Sequence, residues 1–222
     1  MENAEKLIYE SLMEFMNLDC INNKTEKSSN RLVFPVIRNK KRMVRRVSEQ
    51  EAVFLFAKML EQAEQNQFLY SVETPTTKKY RFSGDNTPTI DEVNGVSGNI
   101  DICLYENGER KHLIEFKALN PNQKSYSKDF LKLMYDEVGL TNYFVQVLKN
   151  TNAGTLPNIE RKYDTAIKNA IKEGGTAQSH LRIFLCDMTG KRIILYGING
   201  KSVEVICDTN TTACPPIQSF CS

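Results

Sequence analysis

The sequence lacks any apolar run close to the roughly 20 residues that a membrane-spanning helix needs. Its first residues, MENAEKLIYESL, also lack the basic-then-apolar order of a secretory signal. Gly and Pro are scarce, at 11 and 7 of 222 residues, which excludes collagen-like and low-complexity chains. We therefore expect one compact cytoplasmic domain, with at most a small appendage and no membrane partner.

Cysteine patterns typical of metal sites are missing as well. None of the six cysteines forms a C-x-x-C pair, and the chain has only two histidines. Cys207, Cys214 and Cys221 are evenly spaced, but the residues between them contain no zinc-ribbon turns. We expect reduced thiols and no zinc site.

Neither sign of charge dominates, because 29 basic and 27 acidic residues leave a formal charge of +2. Binding of a polyanion would therefore depend on a local cluster. The densest basic cluster contains Arg38, Lys40, Lys41, Arg42, Arg45 and Arg46. This run either attracts phosphate groups or is a solvated loop balanced by nearby acidic helices, and both interpretations stay open.

The hydrophobic pattern predicts a mixture of helices and strands. Helical spacing over residues 2–18 predicts a first helix, and a capping box of Ser48 and Glu51 predicts the start of a second. Extended segments are predicted at 31–37, 68–76 and 78–82, a loop at 83–98, hairpins at 99–119 and 181–198, and helices around 127–139, 142–150 and 158–174. This order indicates an α/β fold with a mixed central sheet flanked by helices.

The hairpin at 99–119 has a turn at Asn107 and Gly108. A three-residue loop there would make the numbers of cross-strand partners sum to 214. One face of the hairpin would then carry Ile100, Ile102, Leu104, Ile114 and Phe116, and the other Asp101, Cys103, Leu113, Glu115 and Lys117. A two-residue turn would instead place Asp101 among apolar side chains, at substantial cost.

Two carboxylates and a lysine in the middle of two strands need a reason, because strands disfavour Asp and Glu and neighbouring anions repel each other. A hard divalent cation, Mg²⁺ or Mn²⁺, would supply one, since oxygen ligands suit these ions. The alternative is an exposed sheet face on which Lys117 pairs with Glu115 or Asp101. The spacing alone is weak evidence, because a second E-x-K runs from Glu109 to Lys111 in the same hairpin.

The order of elements around these residues resembles the PD-(D/E)xK, or restriction-endonuclease-like, nuclease superfamily. A helix with acidic residues precedes a strand, a strand bearing Asp101, a strand bearing Glu115-Phe116-Lys117, and a further helix. The resemblance covers residues 47–135, and Ile100 stands where the family motif has proline. It implies a restriction-endonuclease-like core with an N-terminal helical extension.

The resemblance also implies roles for the charged residues. Asp101, Glu115 and the backbone carbonyl of Phe116 would bind Mg²⁺ (Mn²⁺ being the alternative), and Lys117 would orient or activate the attacking water. Family members often add an acid from the first helix. A helical wheel places Glu49 on the apolar stripe that faces the sheet, made of Val53, Phe56, Ala57 and Leu60. We therefore assign Glu49 to catalysis and metal binding and leave Glu51 to the cap, although both acids could instead complement the helix dipole.

The implied function is metal-dependent phosphodiester hydrolysis of nucleic acid, with a DNA endonuclease of restriction or defence type as the favoured activity and a homodimer as an open possibility. A structure-directed or repair nuclease acting on single strands or RNA is one alternative, and a non-catalytic DNA- or protein-binding module is another. Candidate nucleic-acid contacts are Arg42, Arg45, Arg46, Lys124, Lys128 and Lys132. The three lysines could equally pair with Asp129 and Asp136 on a solvated helix face.

We divide the chain into three parts on this basis. Residues 1–46 are expected to form the N-terminal helix and a basic linker, residues 47–206 the nuclease-like domain, and residues 207–222 a tail.

Overall fold

A computed structural model describes residues 3–21, 31–39, 42–63, 68–82, 87–136, 141–174 and 180–210. Within these ranges the helices are α1 (Asn3–Met16), α2 (Glu49–Gln62), α3 (Gln123–Tyr135) and α4 (Thr155–Lys172). The strands are β1 (Val36–Asn39), β2 (Arg42–Arg45), β3 (Leu69–Arg81), β4 (Thr89–Ile90), β5 (Val96–Glu106), β6 (Glu109–Ala118), β7 (Thr141–Leu148), β8 (His180–Asp187), β9 (Arg192–Asn199) and β10 (Ser202–Asp208). None of these helices combines the length and apolar character that crossing a bilayer requires.

Eight of the strands form one mixed sheet in the order β10-β9-β8-β7-β6-β5-β3-β4. The neighbours β6, β7 and β8 are parallel, and the other pairs in this sheet are antiparallel. Parallel neighbours need a crossover, and α3 and α4 supply the two that are required here. The predicted mixed sheet with flanking helices is confirmed, whereas the restriction-endonuclease-like core and the domain boundaries stay predictions.

Helices cover both faces of the sheet and create two hydrophobic cores. The first core joins α1 and α2 to the sheet and includes Phe15, Phe56 and Phe116. The second joins α3 and α4 to the opposite face and includes Phe130 and Tyr163. Because β6 lies between the two cores, its alternate side chains face different helices.

The helix predicted over residues 142–150 is wrong, since this segment forms β7. Every side chain from Asn142 to Leu148 is buried. A parallel strand covered on both faces reads as a continuous apolar run without a period of two, and such a run cannot be distinguished from a buried helix by its periodicity. The helices predicted around 2–18, 127–139 and 158–174 are confirmed as α1, α3 and α4.

The predicted three-residue hairpin loop is also wrong. Glu106 pairs with Glu109 across a two-residue turn in which Asn107 and Gly108 have φ values of 53° and 80°. The register then shifts, because Leu104 pairs with His112 while Tyr105 pairs with Arg110, which leaves Lys111 as an extra residue in β6. This bulge restores the alternation that the shorter turn would have reversed, so Asp101 escapes the apolar face.

Ile100 is an exception to the predicted faces. Ile102 and Ile114 lie in the first core, as expected, but Ile100 lies in the second core. Paired backbone contact between β5 and β6 ends at Ile102 and Ile114. Beyond that pair, the Asp101 side chain rather than a strand carbonyl accepts the Phe116 N–H, at 2.6 Å. Strand β5 is therefore irregular at Asp101, and the regular alternation of side chains that the prediction assumed does not continue to Ile100.

Two further expectations are modified. The predicted loop at 83–98 contains β4 and the start of β5 within its described part, and part of the basic run forms an antiparallel ribbon of β1 and β2.

Cys20, Cys103 and Cys186 are free thiols, but Cys207 is disulfide-bonded, which corrects the expectation for that residue. Sequence spacing does not report whether two Cβ atoms approach within disulfide distance. The other two cysteines of the predicted trio lie outside the described residues.

We expect Asn142 to be important for stability, because it fixes the start of β7 between two neighbours. Its Oδ1 accepts a hydrogen bond from Leu113 N–H, and its Nδ2 donates to the Leu133 carbonyl. Asn142→Ala removes these buried bonds and should lower the free energy of unfolding by about 1–3 kcal/mol in urea denaturation. Asn199→Ala, an exposed side chain bonded to Glu204, should change it by less than about 0.5 kcal/mol. Similar losses in both variants would contradict this role.

Candidate functional site

Strands β5 and β6 and helix α3 bring together a cluster of charged side chains on one face of the sheet. Asp101 lies on β5, and Glu115 and Lys117 lie on β6. Asp129 and Lys132 reach the same cluster from α3. The structure therefore unites the three residues that the sequence predicted, and adds an acid and a lysine from the crossover helix.

Asp101 is held by the backbone of the neighbouring strand. Its Oδ2 accepts the Phe116 N–H at 2.6 Å. Burial raises the pKa of Asp101 to about 6, while the Phe116 N–H and the charges of Lys132 and Lys117 act in the opposite direction. The carboxyl group thus titrates close to neutral pH, in an environment where one more positive charge would stabilise its ionised form.

Glu115 and Lys132 form the most deeply buried part of the cluster. Each is only 2% exposed, and Lys132 Nζ donates to Glu115 Oε1. The same ammonium donates to the Asn99 carbonyl at 2.7 Å and lies 3.3 Å from Asp129 Oδ1. Burial and the charge of Asp129 raise the pKa of Glu115, and Lys132 opposes them. Burial disfavours the charge of Lys132, but Glu115 and Asp129 outweigh it and raise its pKa.

Lys117 is the second ammonium of the cluster. Its Nζ lies 2.9 Å from Asp129 Oδ2, so Asp129 pairs with both lysines. Burial works against the charge of Lys117, but the carboxylates of Asp129, Glu49 and Glu115 more than compensate and raise its pKa. Lys117 is therefore a cation at neutral pH, fixed in position by the helix rather than by its own strand.

The two acids at the start of α2 have different surroundings, and Glu51 is the more buried of them, although the helical wheel places Glu49 on the buried stripe. Glu51 Oε2 accepts hydrogen bonds from the backbone N–H and the hydroxyl of Ser48, which confirms the predicted capping box. Glu49 is half-buried and close enough for its charge to act on Lys117. The buried stripe is shifted from the expected one, since Val53 is only half-buried while Leu55 is fully buried. The assignment of Glu49 to catalysis stays a prediction.

The candidate nucleic-acid contacts on α3 differ in exposure. Lys124 and Lys128 are half-buried, and Lys128 Nζ lies 4.7 Å above the Phe82 ring. Lys132 is 2% exposed and faces Glu115. The sequence predicts a surface lysine that contacts phosphate, so this prediction is wrong for Lys132. In the sequence, a lysine three positions after an aspartate on a helix looks like an ordinary surface ion pair. The packing of α3 on β6 is what buries both Asp129 and Lys132.

The ribbon of β1 and β2 contacts the segment that follows β7 and precedes α2 in the chain. Lys149, just after β7, donates to the carbonyl of Arg45, and the chain passes from β2 directly into α2. Arg42 and Arg46 are exposed, and the Arg45 guanidinium lies 5.0 Å from the centre of the Phe34 ring. Among the described residues no carboxylate forms an ion pair with any ribbon arginine, whether Arg38, Arg42, Arg45 or Arg46.

The cluster fits a metal with few protein ligands rather than a closed cage. Within the described ranges, no group of three or more Asp, Glu, His or Cys side chains is arranged to hold a metal ion. Mg²⁺ in proteins is commonly held by one or two carboxylates together with water and substrate phosphate. Asp101 and Glu115 suit such a site, because burial disfavours the ionised form of each carboxyl and raises its pKa. A positive charge beside them would stabilise the ionised forms.

We expect Asp101 to make stability pH-dependent in metal-free buffer. Folding raises the pKa of Asp101 from 3.8 to about 6, so the folded protein holds this proton more tightly than the unfolded chain does. The folding stability that the bound proton contributes is therefore lost as the pH rises through about 6. Asp101→Asn has no such titration. Between pH 4 and 7 the wild type should therefore lose about 2–3 kcal/mol of unfolding free energy relative to this variant. Urea denaturation in EDTA at several pH values measures the difference, and parallel pH profiles would contradict the raised pKa.

No protein-family model matches the sequence. No curated protein matches it either. Among solved structures, the chain is similar to that of Pyrococcus furiosus SfsA in complex with Ca²⁺, with 11% sequence identity and a TM-score of 0.34. The match covers 72% of this chain and 62% of SfsA, so the chain spans less than two thirds of that protein's length.

Proposed function

We propose that the protein is a metal-dependent nuclease, and specifically a DNA endonuclease of restriction or defence type with Mg²⁺ as its cofactor. The supporting observation is the convergence of three carboxylates and two lysines on one sheet face. Acidic side chains outnumber lysines there by three to two, and burial penalises every ionised group. Such a site gains from a divalent cation and can still present an ammonium to a phosphate.

Asp101, Glu115 and the carbonyl of Phe116 would hold the metal. When bound, a divalent ion acidifies a coordinated water and polarises a phosphate oxygen. The Asp101 carboxylate is oriented for this role by the Phe116 N–H, which fixes one of its oxygens. Lys132 donates a hydrogen bond to Glu115 Oε1 and opposes the rise in the pKa of this carboxyl, and a bound divalent ion would favour its ionised form further.

Lys117 would contact the reacting phosphate or the attacking water. Its raised pKa favours the protonated state, so it is suited to neutralise charge on a phosphate oxygen and to orient water by donating a hydrogen bond. Abstraction of a proton by Lys117 would require it to be neutral, which its carboxylate neighbours disfavour. Of the two roles that the sequence allows, orientation is the one that these charges support.

The ribbon of β1 and β2 supports nucleic acid as the substrate. Its arginines are not neutralised by described carboxylates, and β2 leads into the helix whose first residue, Glu49, acts on Lys117. A polyanion bound along the ribbon would therefore pass close to the charged cluster. Arginine also matches phosphate geometry better than lysine does, because its guanidinium donates two parallel hydrogen bonds.

Cleavage of supercoiled plasmid in Mg²⁺ tests the catalytic assignment. Lys117→Ala and Asp101→Ala should each reduce the nicking rate by at least about 100-fold, because each removes a group needed in the transition state. Lys111→Ala is the matched control, since Lys111 belongs to the second E-x-K of the same hairpin and pairs only loosely with Glu109, at 3.4 Å. Its rate should stay within about twofold of the wild type.

Equal nicking by the wild type and the two site variants would defeat the catalytic proposal. Plasmid binding that persists in EDTA, with no cleavage in Mg²⁺ or Mn²⁺, would favour a non-catalytic binding module instead. Cleavage of single strands or RNA in preference to duplex DNA would favour the repair-type alternative.

The dependence of DNA binding on salt tests the ribbon. In EDTA, Arg42→Ala/Arg46→Ala should weaken binding to a short duplex and reduce the slope of log K against log[salt] by about 1 for each phosphate that the variant no longer neutralises. A control pair on α4, Arg161→Ala/Lys168→Ala, removes the same charge from an exposed helix face and should leave the slope unchanged. Equal slopes for both double variants would exclude the ribbon as the phosphate-binding surface.

A further inference from the structure

We propose that the Lys132 ammonium is a built-in cation of the charged cluster, which occupies the position that a second divalent ion would need between Glu115 and Asp129. The protein would then use a single metal, and Lys132 would supply the other positive charge. The role of Lys132 as a cation is inferred from its contacts alone. The one-metal consequence rests on the proposed function.

The surroundings of Lys132 Nζ are those of a hard cation. Three oxygens from three separate places in the fold converge on it: a Glu115 carboxylate oxygen, Asp129 Oδ1 at 3.3 Å and the Asn99 carbonyl at 2.7 Å. Carboxylate and carbonyl oxygens are also the ligands that divalent cations of the Mg²⁺ and Ca²⁺ type take in proteins. Lys132 is only 2% exposed, so water does not replace these contacts.

The strand beneath Lys132 leaves room for its side chain. Gly98 on β5 has no side chain where the lysine stem passes, and a Cβ there would lie 2.9 Å from Lys132 Cδ and 3.3 Å from Phe82 Cζ. The Gly98 N–H is held by Thr76 Oγ1 at 2.8 Å, which fixes the backbone at this point. A passage of this kind is unnecessary for a lysine that merely covers a surface.

The competing interpretation is an ordinary buried ion pair that only stabilises the fold. The two interpretations differ in what happens when the ammonium is removed. If the pair is an ordinary one, removing the lysine leaves two buried acids without a cation, and the fold loses stability. A cation position leaves oxygens that a divalent ion can bind, so the ion restores what the lysine supplied.

Lys132→Met separates them, because methionine keeps an unbranched apolar stem but ends one atom before the position of the ammonium, which it leaves empty. Titration of free Mn²⁺ by electron paramagnetic resonance should show one more bound ion per chain in Lys132→Met than in the wild type. In EDTA the melting temperature of this variant should fall by about 5–15 °C. Saturating Mn²⁺ should raise it by clearly more than it raises that of the wild type.

Two controls define the result. Lys132→Arg keeps a cation at the position and should bind the same number of ions as the wild type. Arg110→Met removes a different cation, which lies 3.4 Å from buried Asp136 on the end of α3, and should lower the melting temperature without gaining a Mn²⁺ site.

The same number of bound ions in Lys132→Met and the wild type would overturn the proposal, as would a melting temperature that Mn²⁺ raises no more than that of Arg110→Met. If the wild type binds no Mn²⁺ while Lys132→Met binds one ion, the metal-dependent function fails and the role of Lys132 stands.

A measurement on the wild type covers the case in which Lys132→Met does not fold. Reductive methylation followed by mass spectrometry should find Lys132 equally protected in EDTA and in Mg²⁺, with exposed Lys168 reacting in both. Exposure of Lys132 in Mg²⁺ would mean that the ion displaces the ammonium, and this would overturn the proposal.

Discussion

Burial of acids on the central sheet is possible only because two ammonium groups are buried with them. Asp101 and Glu115 lie in surroundings that favour the neutral carboxyl, and the lysines at 117 and 132 compensate part of that cost. Asp129 contacts both lysines and so makes one network of what would otherwise be separate pairs. Such a network is weak evidence for stability by itself, because well-packed apolar residues would be at least as stable. The proposed metal-dependent function would account for a network of this cost in the centre of the fold.

Topology explains why the network forms where it does. The crossover between parallel β6 and β7 must pass over the sheet, and α3 is the helix that makes this crossing. Its inner face lies above the charged side chains of β6, which brings Asp129 and Lys132 to them. The opposite face of β6 carries Phe116 and packs near Phe56 of α2, with ring centres 5.9 Å apart. At Glu115 and Phe116, β6 thus separates the charged cluster from the first hydrophobic core.

The sequence was sufficient for features that depend on local periodicity and insufficient for those that depend on contact between distant segments. Alternation along β5 and β6 placed Asp101, Glu115 and Lys117 together, and the spacing of Ser48 and Glu51 located the start of α2. Burial on both faces removed the alternation from β7 and made it resemble a helix. The depth of Lys132 was equally inaccessible, because a lysine near an aspartate on a helix has the same pattern whether the helix face is wet or packed.

The hairpin contains two irregularities that cancel. The short turn at Asn107 and Gly108 would by itself rotate β6 by half a pleat relative to β5, and the extra residue at Lys111 rotates it back. A lineage that lost only one of them would turn Glu115 and Lys117 towards the phenylalanines of the other layer. A one-residue insertion or deletion in this hairpin would therefore need a second, compensating change to keep Glu115 and Lys117 on their face of the sheet, so the charged cluster constrains the length of a turn that it does not touch.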